Sequence, residues 1–465
     1  HNNTVKTSIS GGNEQTRFNA GGSFINETTV FPMDFNYRRA TVYAGFSHNS
    51  ADDRFSMHFT ANYGTDKNFL PSTDLTRISR ITPPNAPKLY NDDGSLNWEN
   101  STWTNPMAAL ESDYRNLTNN LIANAVLSYR IINGLEIRTN IGYNRSDLTE
   151  TGINPHTMYN PAWGTTGASS YIQKNESKRD SWIVEPLLNA SYVIGEGRLN
   201  VIVGSTFQEQ NKEQLSLFAA GFTNDYFITN ITAASTQAFD MDEKIQYRYQ
   251  AIYARVNYNL KEKYIFNLTG RRDGSSRFGP DRRFANFGAI GVAWLFYREK
   301  FLMNCPWLSF GKLRASLGTT GNDQIGDYQY LDTYTITGTN YNGYLGLTPS
   351  HLLNPIFAWE KNRKAEAALE AGLWDDHLNF EIAYYNNRTD NQLVGIPLPG
   401  TTGFSSISAN LNAVVENSGW EVSIRSLNIQ REDFQWNSSF NLTIPKNRLV
   451  DFPGLAGSTY ASQYE

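Results

Sequence analysis

Segments in which apolar and polar side chains alternate recur in pairs along this chain, and they constrain its fold more than any other feature. In residues 135–144, the apolar side chains that begin with Leu135 and Ile137 alternate with Glu136 and Arg138. Residues 252–260 repeat the same alternation. Because successive side chains of a β-strand point to opposite faces, one face of each strand is expected to meet an apolar medium and the other to meet water.

The alternating segments are predicted to form seven hairpins with short connections. They pair residues 38–49 with 54–64, 121–130 with 135–144, 182–194 with 198–208, 247–260 with 264–272, 283–296 with 308–320, 364–374 with 378–387, and 414–427 with 434–444. Turn residues such as Asn133 and Gly134 supply the positive φ that tight hairpins need. The fifth link is longer and has room for a helical turn. Segments 4–10 and 16–25 bring the expected total to about sixteen strands, most of them long enough to cross a bilayer at a tilt.

Long polar loops are predicted between the hairpins, at residues 65–120, 145–181, 209–246, 273–282, 321–363 and 388–413. Short turns at one end and long loops at the other are the layout of a transmembrane β-barrel. The predicted fold class is therefore all-β, a transmembrane antiparallel up-and-down β-barrel. A soluble β-propeller or stacked sandwich is the alternative, but either would favour shorter strands and more even spacing.

The composition agrees with strands that have one lipid-facing side and one wet side. Among 465 residues, 13% are aromatic and only 18% are charged. No apolar run approaches the roughly 20 residues that a membrane helix needs. The net charge of −5 argues against a nucleic-acid surface.

No motif for catalysis, metal binding or cofactor binding stands out. The six histidines lack the spacing of metal ligands. Asp375 and Asp376 occupy a predicted tight turn, where Asp is favoured structurally. The segment 91–95 lacks the acidic spacing of a calcium loop, and Cys305 is the only cysteine. We therefore predict that the chain is not an enzyme and has no metal or cofactor.

Aromatic residues in the predicted loops are candidate contacts for a substrate or for a covering partner. They are Trp98, Trp103, Tyr159, Trp163, Tyr341 and Tyr344. Aromatic rings stack on sugar or peptide faces, and neighbouring Asn and Asp side chains can bond to hydroxyls or amides. The alternative is that these rings pack the loops themselves, and the sequence leaves both possibilities open.

From residue 271 the chain carries a series of specific sequence blocks. The first is Arg272, Asp273, Gly274, Ser275, Ser276, Arg277, Phe278 and Gly279, and Trp294 follows it. Later blocks lie at residues 321–328, 354–360, 384–389 and 417–421. In this order the blocks resemble the signature of SusC/RagA-type TonB-dependent transporters, strongly over residues 264–450 and more weakly before them.

The resemblance implies a barrel of about 22 strands filled by an N-terminal plug. It also implies a SusD-like lipoprotein that covers the barrel, energy delivered by the TonB complex, and a place in the outer membrane of a Gram-negative bacterium. The implied cargo is glycan fragments or oligopeptides. Contacts are expected with outer-membrane lipid and none with nucleic acid.

The whole chain, residues 1–465, is expected to be an incomplete barrel domain of such a transporter. It shows no plug, no TonB box and no C-terminal strand that ends in an aromatic residue, and residues 458–465 look like the middle of a loop. About sixteen strands leave roughly six of the implied barrel unaccounted for. We therefore expect an internal part of a longer polypeptide.

The expected function is active import of nutrients across the outer membrane. A passive porin of about sixteen strands is the alternative that the strand number favours, and a surface adhesin or enzyme on a β scaffold is a third hypothesis. The segment 273–276 is expected to turn the chain. Arg272, Arg277 and Arg283 are expected to pair with acidic groups and to shape the barrel mouth rather than bind substrate.

Overall fold

The computed structural model describes residues 1–71 and 73–458. Within them the strands are β1 (Asn2–Gly12), β2 (Thr16–Thr28), β3 (Asn36–Asn49), β4 (Phe55–Leu70), β5 (Asp113–Ile132), β6 (Leu135–Asn154), β7 (Tyr171–Ile194), β8 (Gly197–Ala220), β9 (Thr236–Leu260), β10 (Tyr264–Ser275), β11 (Phe284–Trp294), β12 (Leu308–Asn322), β13 (Thr333–Tyr341), β14 (Tyr344–His351), β15 (Glu360–Leu373), β16 (Leu378–Asp390), β17 (Gln392–Pro397), β18 (Ser406–Leu411), β19 (Val414–Gln430) and β20 (Gln435–Asp451). Of the residues expected to form the middle of a loop, 458–465, all except Ser458 lie outside the described part, as does Ser72 in the predicted loop 65–120.

Short helical elements lie between the strands. They are the α-helix α1 (Leu75–Ile81) and 3₁₀ turns at Glu99–Ser101, Pro106–Leu110, His156–Met158, Pro161–Trp163, Gly167–Ser169, Asp225–Phe227, Ile231–Ala233, Phe296–Arg298, Gly400–Thr402 and Leu455–Gly457. Among the described residues, none of the helices combines the length and apolar character needed to cross a membrane.

One antiparallel sheet contains sixteen of the described strands. Their order is β1 through β12, then β15, β16, β19 and β20. Strands that follow one another in the chain are therefore neighbours in the sheet, apart from the inserted hairpins β13–β14 and β17–β18. The prediction of about sixteen strands in up-and-down order is confirmed, and the long link between β11 and β12 does hold a helical turn.

The predicted loops were too long, because the strands continue past the alternating segments. β8 ends at Ala220 and β9 begins at Thr236, inside the predicted loop 209–246. The loops 321–363 and 388–413 were also expected to lack strands, but they contain β13–β14 and β17–β18. Residues 208–214 read Gln-Glu-Gln-Asn-Lys-Glu-Gln, so no apolar face marks this part of β8. Alternation reveals a strand only where one face meets an apolar medium.

Two faces of the sheet are distinguished by rows of cross-strand partners in β9 to β12. One row is apolar, and its members are between 37% and 60% exposed; they are Val256, Leu268, Ile290 and Leu317. The row one residue away is polar or small and consists of Asn257, Asn267, Gly291 and Ser316. Apolar side chains exposed in a row across neighbouring strands are what a lipid-facing surface requires.

Two compact units make up the chain, and each has clusters of buried side chains near the loops. The first unit is His1–Ser128, Thr139–Val184 and Glu209–Gln246. Its clusters are Phe35, Leu75 and Leu110, and Ile172, Ala219, Phe222, Ile228 and Ala234. The second unit is Tyr129–Arg138, Glu185–Gln208 and Tyr247–Glu465. Its cluster is Phe278, Phe287, Phe357 and Trp359.

The turn after β5 shows why its glycine is required. Gly134 has a φ of +83°, and a Cβ at this position would lie 2.5 Å from the carbonyl oxygen of Ser191. Ser191 donates its backbone N–H to the Gly134 carbonyl at 2.7 Å, so the turn lies directly against β7.

We expect Leu317→Arg to destabilise the protein by about 2–4 kcal/mol, because it places a charge in the apolar row at membrane depth. Ser316→Arg is the matched control one residue away, where the new cation would lie opposite Glu366 in β15. The measurement is the urea midpoint of unfolding in lipid bilayers. Equal losses for the two variants would contradict the assignment of the two faces.

Candidate functional site

A cavity of about 630 Å³ lies between the β4–β5 and β6–β7 loops of the first unit. We call it the loop pocket. Its lining residues are Tyr90, Asn91, Gly94, Ser95, Leu96, Asn97, Trp98, Glu99, Asn100, Glu111, His156, Thr157, Tyr159, Asn160, Pro161 and Thr165. Two of the predicted aromatic contacts, Trp98 and Tyr159, therefore line one cavity although they are far apart in the sequence.

One wall of the loop pocket has an unusual backbone. Glu99, Asn100 and Ser101 are consecutive and have φ angles of +43°, +53° and +69°. Non-glycine residues with positive φ cost free energy and persist only where the surroundings hold them. Here Asn97 accepts the Glu99 N–H through Oδ1 at 2.9 Å, and the buried Asn160 donates from Nδ2 to Ser101 Oγ at 2.9 Å.

Asn105 fixes the same wall from behind. Its side chain is 1% exposed. It donates from Nδ2 to the carbonyl oxygens of Leu89 at 2.6 Å and Asn97 at 3.0 Å, and its Oδ1 accepts the Met107 N–H at 2.9 Å. The pocket wall is therefore shaped before any ligand binds.

The opposite wall is anchored by a group of three polar side chains. His156 Nδ1 lies 2.6 Å from Asp225 Oδ2. The fully buried Ser170 accepts the His156 backbone N–H at 2.8 Å and donates its hydroxyl to Asp225. Because the serine bonds to the carboxylate and not to the imidazole, the group joins the β6–β7 loop to the β8–β9 loop rather than forming a nucleophile–base pair.

The remaining aromatic candidates lie elsewhere or have structural contacts. Trp103 donates its indole N–H to the Asn97 carbonyl at 3.0 Å, so it packs the loop. Trp163 is 66% exposed, and its ring lies 6.5 Å from that of Tyr159. Tyr341 and Tyr344 are paired at the tip of the β13–β14 hairpin in the second unit.

In the second unit, residues of the first sequence block belong to a polar network. We call this network the signature cluster, and its members are Tyr247, Tyr249, Arg271, Asp273, Arg277, Asp323 and Asp327. Arg271 Nε bonds to both carboxylate oxygens of Asp273 at 2.9 and 2.8 Å. Arg277 pairs with Asp327 at 3.0 Å, donates to the Asp323 carbonyl at 3.0 Å and lies 4.3 Å from the Tyr247 ring centre. A cavity of about 370 Å³ adjoins these groups.

Aromatic rings pack next to the signature cluster. Phe278 is completely buried, and its ring centre lies 5.2 Å from that of Trp359 and 5.8 Å from that of Phe357. A Cβ on Gly279 would approach the Pro355 carbonyl oxygen to 2.8 Å, and one on Gly321 would approach the Phe287 ring to 2.1 Å. The glycines of the sequence blocks therefore allow close packing.

The family described as TonB dependent receptor-like, beta-barrel matches residues 43–464. The chain belongs to this family. Such receptors are outer-membrane proteins, and the TonB-dependent receptors and transporters are not enzymes.

Two curated relatives and one solved structure show the extent of the similarity. A TonB-dependent receptor of Formosa agariphila is 28% identical over 464 residues, covering 97% of this chain and 43% of that protein. The TonB-dependent receptor SusC of Bacteroides thetaiotaomicron is 25% identical over 493 residues, covering 97% of this chain and 47% of that protein. The structure of the RagAB peptide transporter matches with a TM-score of 0.82 at 21% identity, covering 97% of this chain and 51% of that chain. The chain thus spans about half the length of these relatives, and the structural match shows a shared fold.

Within this TonB-dependent receptor barrel, three expectations for the signature residues were wrong. Asp273, Gly274 and Ser275 do not turn the chain, because they continue β10, and the turn begins only at Ser276. Arg272 bonds to Asn286 at 3.2 Å and lies over the Phe284 ring. Neither Arg272 nor Arg283 has an ion-pair partner in the described part of the chain. The pairing predicted for Arg277 is confirmed.

Two further signature residues have contacts that local sequence does not predict. Ser276 exchanges hydrogen bonds with the backbone of Arg248: its N–H donates to the Arg248 carbonyl, and its hydroxyl accepts the Arg248 N–H, both at 2.9 Å. Trp294 lies at the opposite end of β11 from residue 284, next to the tight turn. The signature is thus divided between two ends of the sheet.

Several residues of both sites were missed by sequence reasoning. His156 and Ser170 come from the two ends of the β6–β7 loop and Asp225 from the β8–β9 loop, and they carry no local motif. Arg271 lies just outside the first sequence block, and Tyr249 lies in the neighbouring strand. The described residues contain no group of three or more His, Cys, Asp or Glu side chains that could hold a metal ion.

We expect Arg277→Ala to destabilise the fold by about 2 kcal/mol, because it leaves the half-buried Asp327 without its charged partner. Arg272→Ala is the matched control, with an expected change within about 0.5 kcal/mol, since Arg272 is exposed and has only an amide and a ring as partners. Urea midpoints of the detergent-folded protein measure both. A larger loss of stability for Arg272→Ala than for Arg277→Ala would contradict the assigned network.

A pH effect is expected at the tight-turn end, in the link between β11 and β12. There Glu299 accepts hydrogen bonds from the Tyr264 hydroxyl at 2.7 Å, the Trp294 indole at 3.2 Å and Lys263 Nζ at 3.1 Å. These bonds, chiefly the one from Tyr264, hold the pKa of Glu299 below its ordinary value of 4.5. A lowered carboxyl pKa stabilises the fold above that ordinary value, and the contribution is lost as the pH falls through the lowered pKa.

Unfolding midpoints measured from pH 6 down to pH 3 should therefore converge for the wild-type protein and Glu299→Gln as the pH falls. Tyr264→Phe should reduce the difference between them at pH 6, because it removes the main hydrogen bond. A difference between wild type and Glu299→Gln that stays constant over this range would show that Glu299 does not contribute through its charge.

Proposed function

We propose that this chain forms the wall and outer loops of an active importer in the bacterial outer membrane, energised through TonB. The observation that carries the proposal is the pairing of an exposed apolar row with a polar row across β9 to β12, in a member of the TonB-dependent receptor family. An apolar outer face with a polar inner face suits a barrel that encloses a water-filled or plugged path.

The tight turns are proposed to face the periplasm, and the long loops the outside. The aromatic residues Trp307, Trp374 and Trp436 are 49%, 56% and 53% exposed and lie at the tight-turn end. Such residues suit the membrane–water boundary. The loop pocket and the signature cluster then belong to the outer side, where cargo arrives.

A lipoprotein of the SusD type is the proposed partner above the loops, and the proposed cargo is glycan fragments or oligopeptides. The similarity to SusC and to the RagAB peptide transporter supports this pairing. The β13–β14 hairpin offers exposed apolar side chains at this end, including Ile336 at 69% and Leu347 at 67% exposure.

We assign different roles to the two groups of candidate residues. The signature residues Arg277 and Phe278 hold the outer ends of the strands together through buried contacts. Trp98 and Tyr159 are the aromatic residues best placed to meet cargo, because they line a cavity. Residues 1–465 are proposed to belong to one barrel domain.

Uptake should depend on TonB. Cells that carry the transporter should lose uptake of its cargo when the tonB gene is deleted or when the proton gradient is collapsed by an uncoupler. Restoring tonB on a plasmid is the control. Uptake that continues at the full rate without TonB would favour the alternative, a passive porin.

A further inference from the structure

The loop pocket has acidic side chains and no basic Lys or Arg in its lining. Apart from two tyrosines, its ionisable lining residues are Glu99, Glu111 and His156. A pocket that contains carboxylates and no fixed cation repels anionic ligands, since like charges in a partly desolvated site are unfavourable.

Unused hydrogen-bonding groups in the pocket include both donors and acceptors. Glu111 Oε2 accepts the Thr157 hydroxyl at 3.1 Å, which leaves its second oxygen open. Glu99 Oε2 accepts from Asn97 Nδ2 at 3.3 Å, and its other oxygen is likewise open. The amide of Asn100 has no partner among the described residues. A cationic side chain would need acceptors only, whereas a hydroxyl donates and accepts.

Aromatic surface accompanies these groups. Trp98 and Tyr159 line the cavity, and flat rings offer apolar area at low conformational cost. A volume of about 630 Å³ lies within the ordinary range for small-molecule sites, roughly 300–1,000 Å³. The pocket is thus large enough for several linked sugar rings.

We propose that the loop pocket is a subsite for neutral oligosaccharides and that it discriminates against acidic ones. Sugar rings stack on Trp98 and Tyr159, and their hydroxyls donate to Glu99 and Glu111 in charge-assisted hydrogen bonds. The Asn97, Asn105 and Asn160 contacts hold these groups in place before cargo arrives, which reduces the ordering cost of binding. This inference rests on the proposed function of the chain as an importer.

Calorimetric titration of the detergent-purified outer-membrane protein tests the proposal. The probes are the neutral hexasaccharides of maltose, cellobiose, xylose and mannose type, an oligogalacturonate of matched length, and a lysine hexapeptide. At least one neutral probe should bind more tightly than the oligogalacturonate and the peptide. Tighter binding of the acidic sugar or the peptide, or no binding of any neutral probe, would overturn the proposal.

Variants locate the binding. Trp98→Ala should weaken binding of the neutral probe about ten-fold, equal to about 1.4 kcal/mol. Trp98→Phe keeps an aromatic ring and should retain most of the affinity. Trp307→Ala, at the tight-turn end, is the matched control and should bind normally. Equal binding by Trp98→Ala and the wild-type protein would place the site elsewhere and refute the assignment.

A charge change tests the selectivity directly. Glu111→Lys should weaken binding of the neutral probe and strengthen binding of the oligogalacturonate. If neither affinity changes, the role of Glu111 is contradicted. Uptake measured with and without TonB separates this inference from the importer proposal. TonB-dependent uptake of an acidic cargo would sink only the sugar subsite, whereas TonB-independent uptake would sink the importer proposal and leave the binding result standing.

Discussion

Continuous cross-strand pairing is the constraint on which the rest of this structure depends. Inside a bilayer there is no water to bond to backbone N–H and C=O groups, so each strand must obtain its partners from its neighbours. The sixteen-stranded sheet meets this need by placing strands side by side in chain order. Pairing fixes the register, and the register aligns side chains such as Leu268 and Ile290 in an exposed apolar row.

The lipid-facing sheet also explains where the buried side chains are found. In β9 to β12 one row is apolar and exposed and the adjacent row is polar or small, so these strands do not form a conventional two-sided core. Compact packing occurs instead near the loops, around Phe35, Phe222 and Phe278 in separate clusters. Polar networks accompany these clusters and hold the loop pocket and the signature cluster in fixed shapes. The strand architecture is shared with a solved structure at a TM-score of 0.82 although only 21% of the residues are identical.

The sequence predicted the fold well because period-two alternation is a local signal. At the tight turns, the predicted strand ends lie close to the observed ones. For example, the turn at Asn133 and Gly134 joins strands that end at Ile132 and begin at Leu135. The other ends were missed because polar stretches such as residues 208–214 carry no alternation. Among the site residues, the pairing of Arg277 was foreseen, but the strand conformation of Asp273 was not, since a sequence of small polar residues suits a turn equally well.

The sequence by itself determined the membrane-barrel architecture and the approximate number of strands in the main sheet, because these follow from periodicity and composition along the chain. Only the tertiary structure decided which loop aromatics share a cavity. Trp98 and Tyr159 line one pocket, whereas Trp103 packs its own loop and Tyr341 lies on a separate hairpin. Likewise, Ser170 and Asp225 meet although they are 55 residues apart. Long loops acquire their arrangement from contacts between distant segments, and no local pattern encodes those contacts.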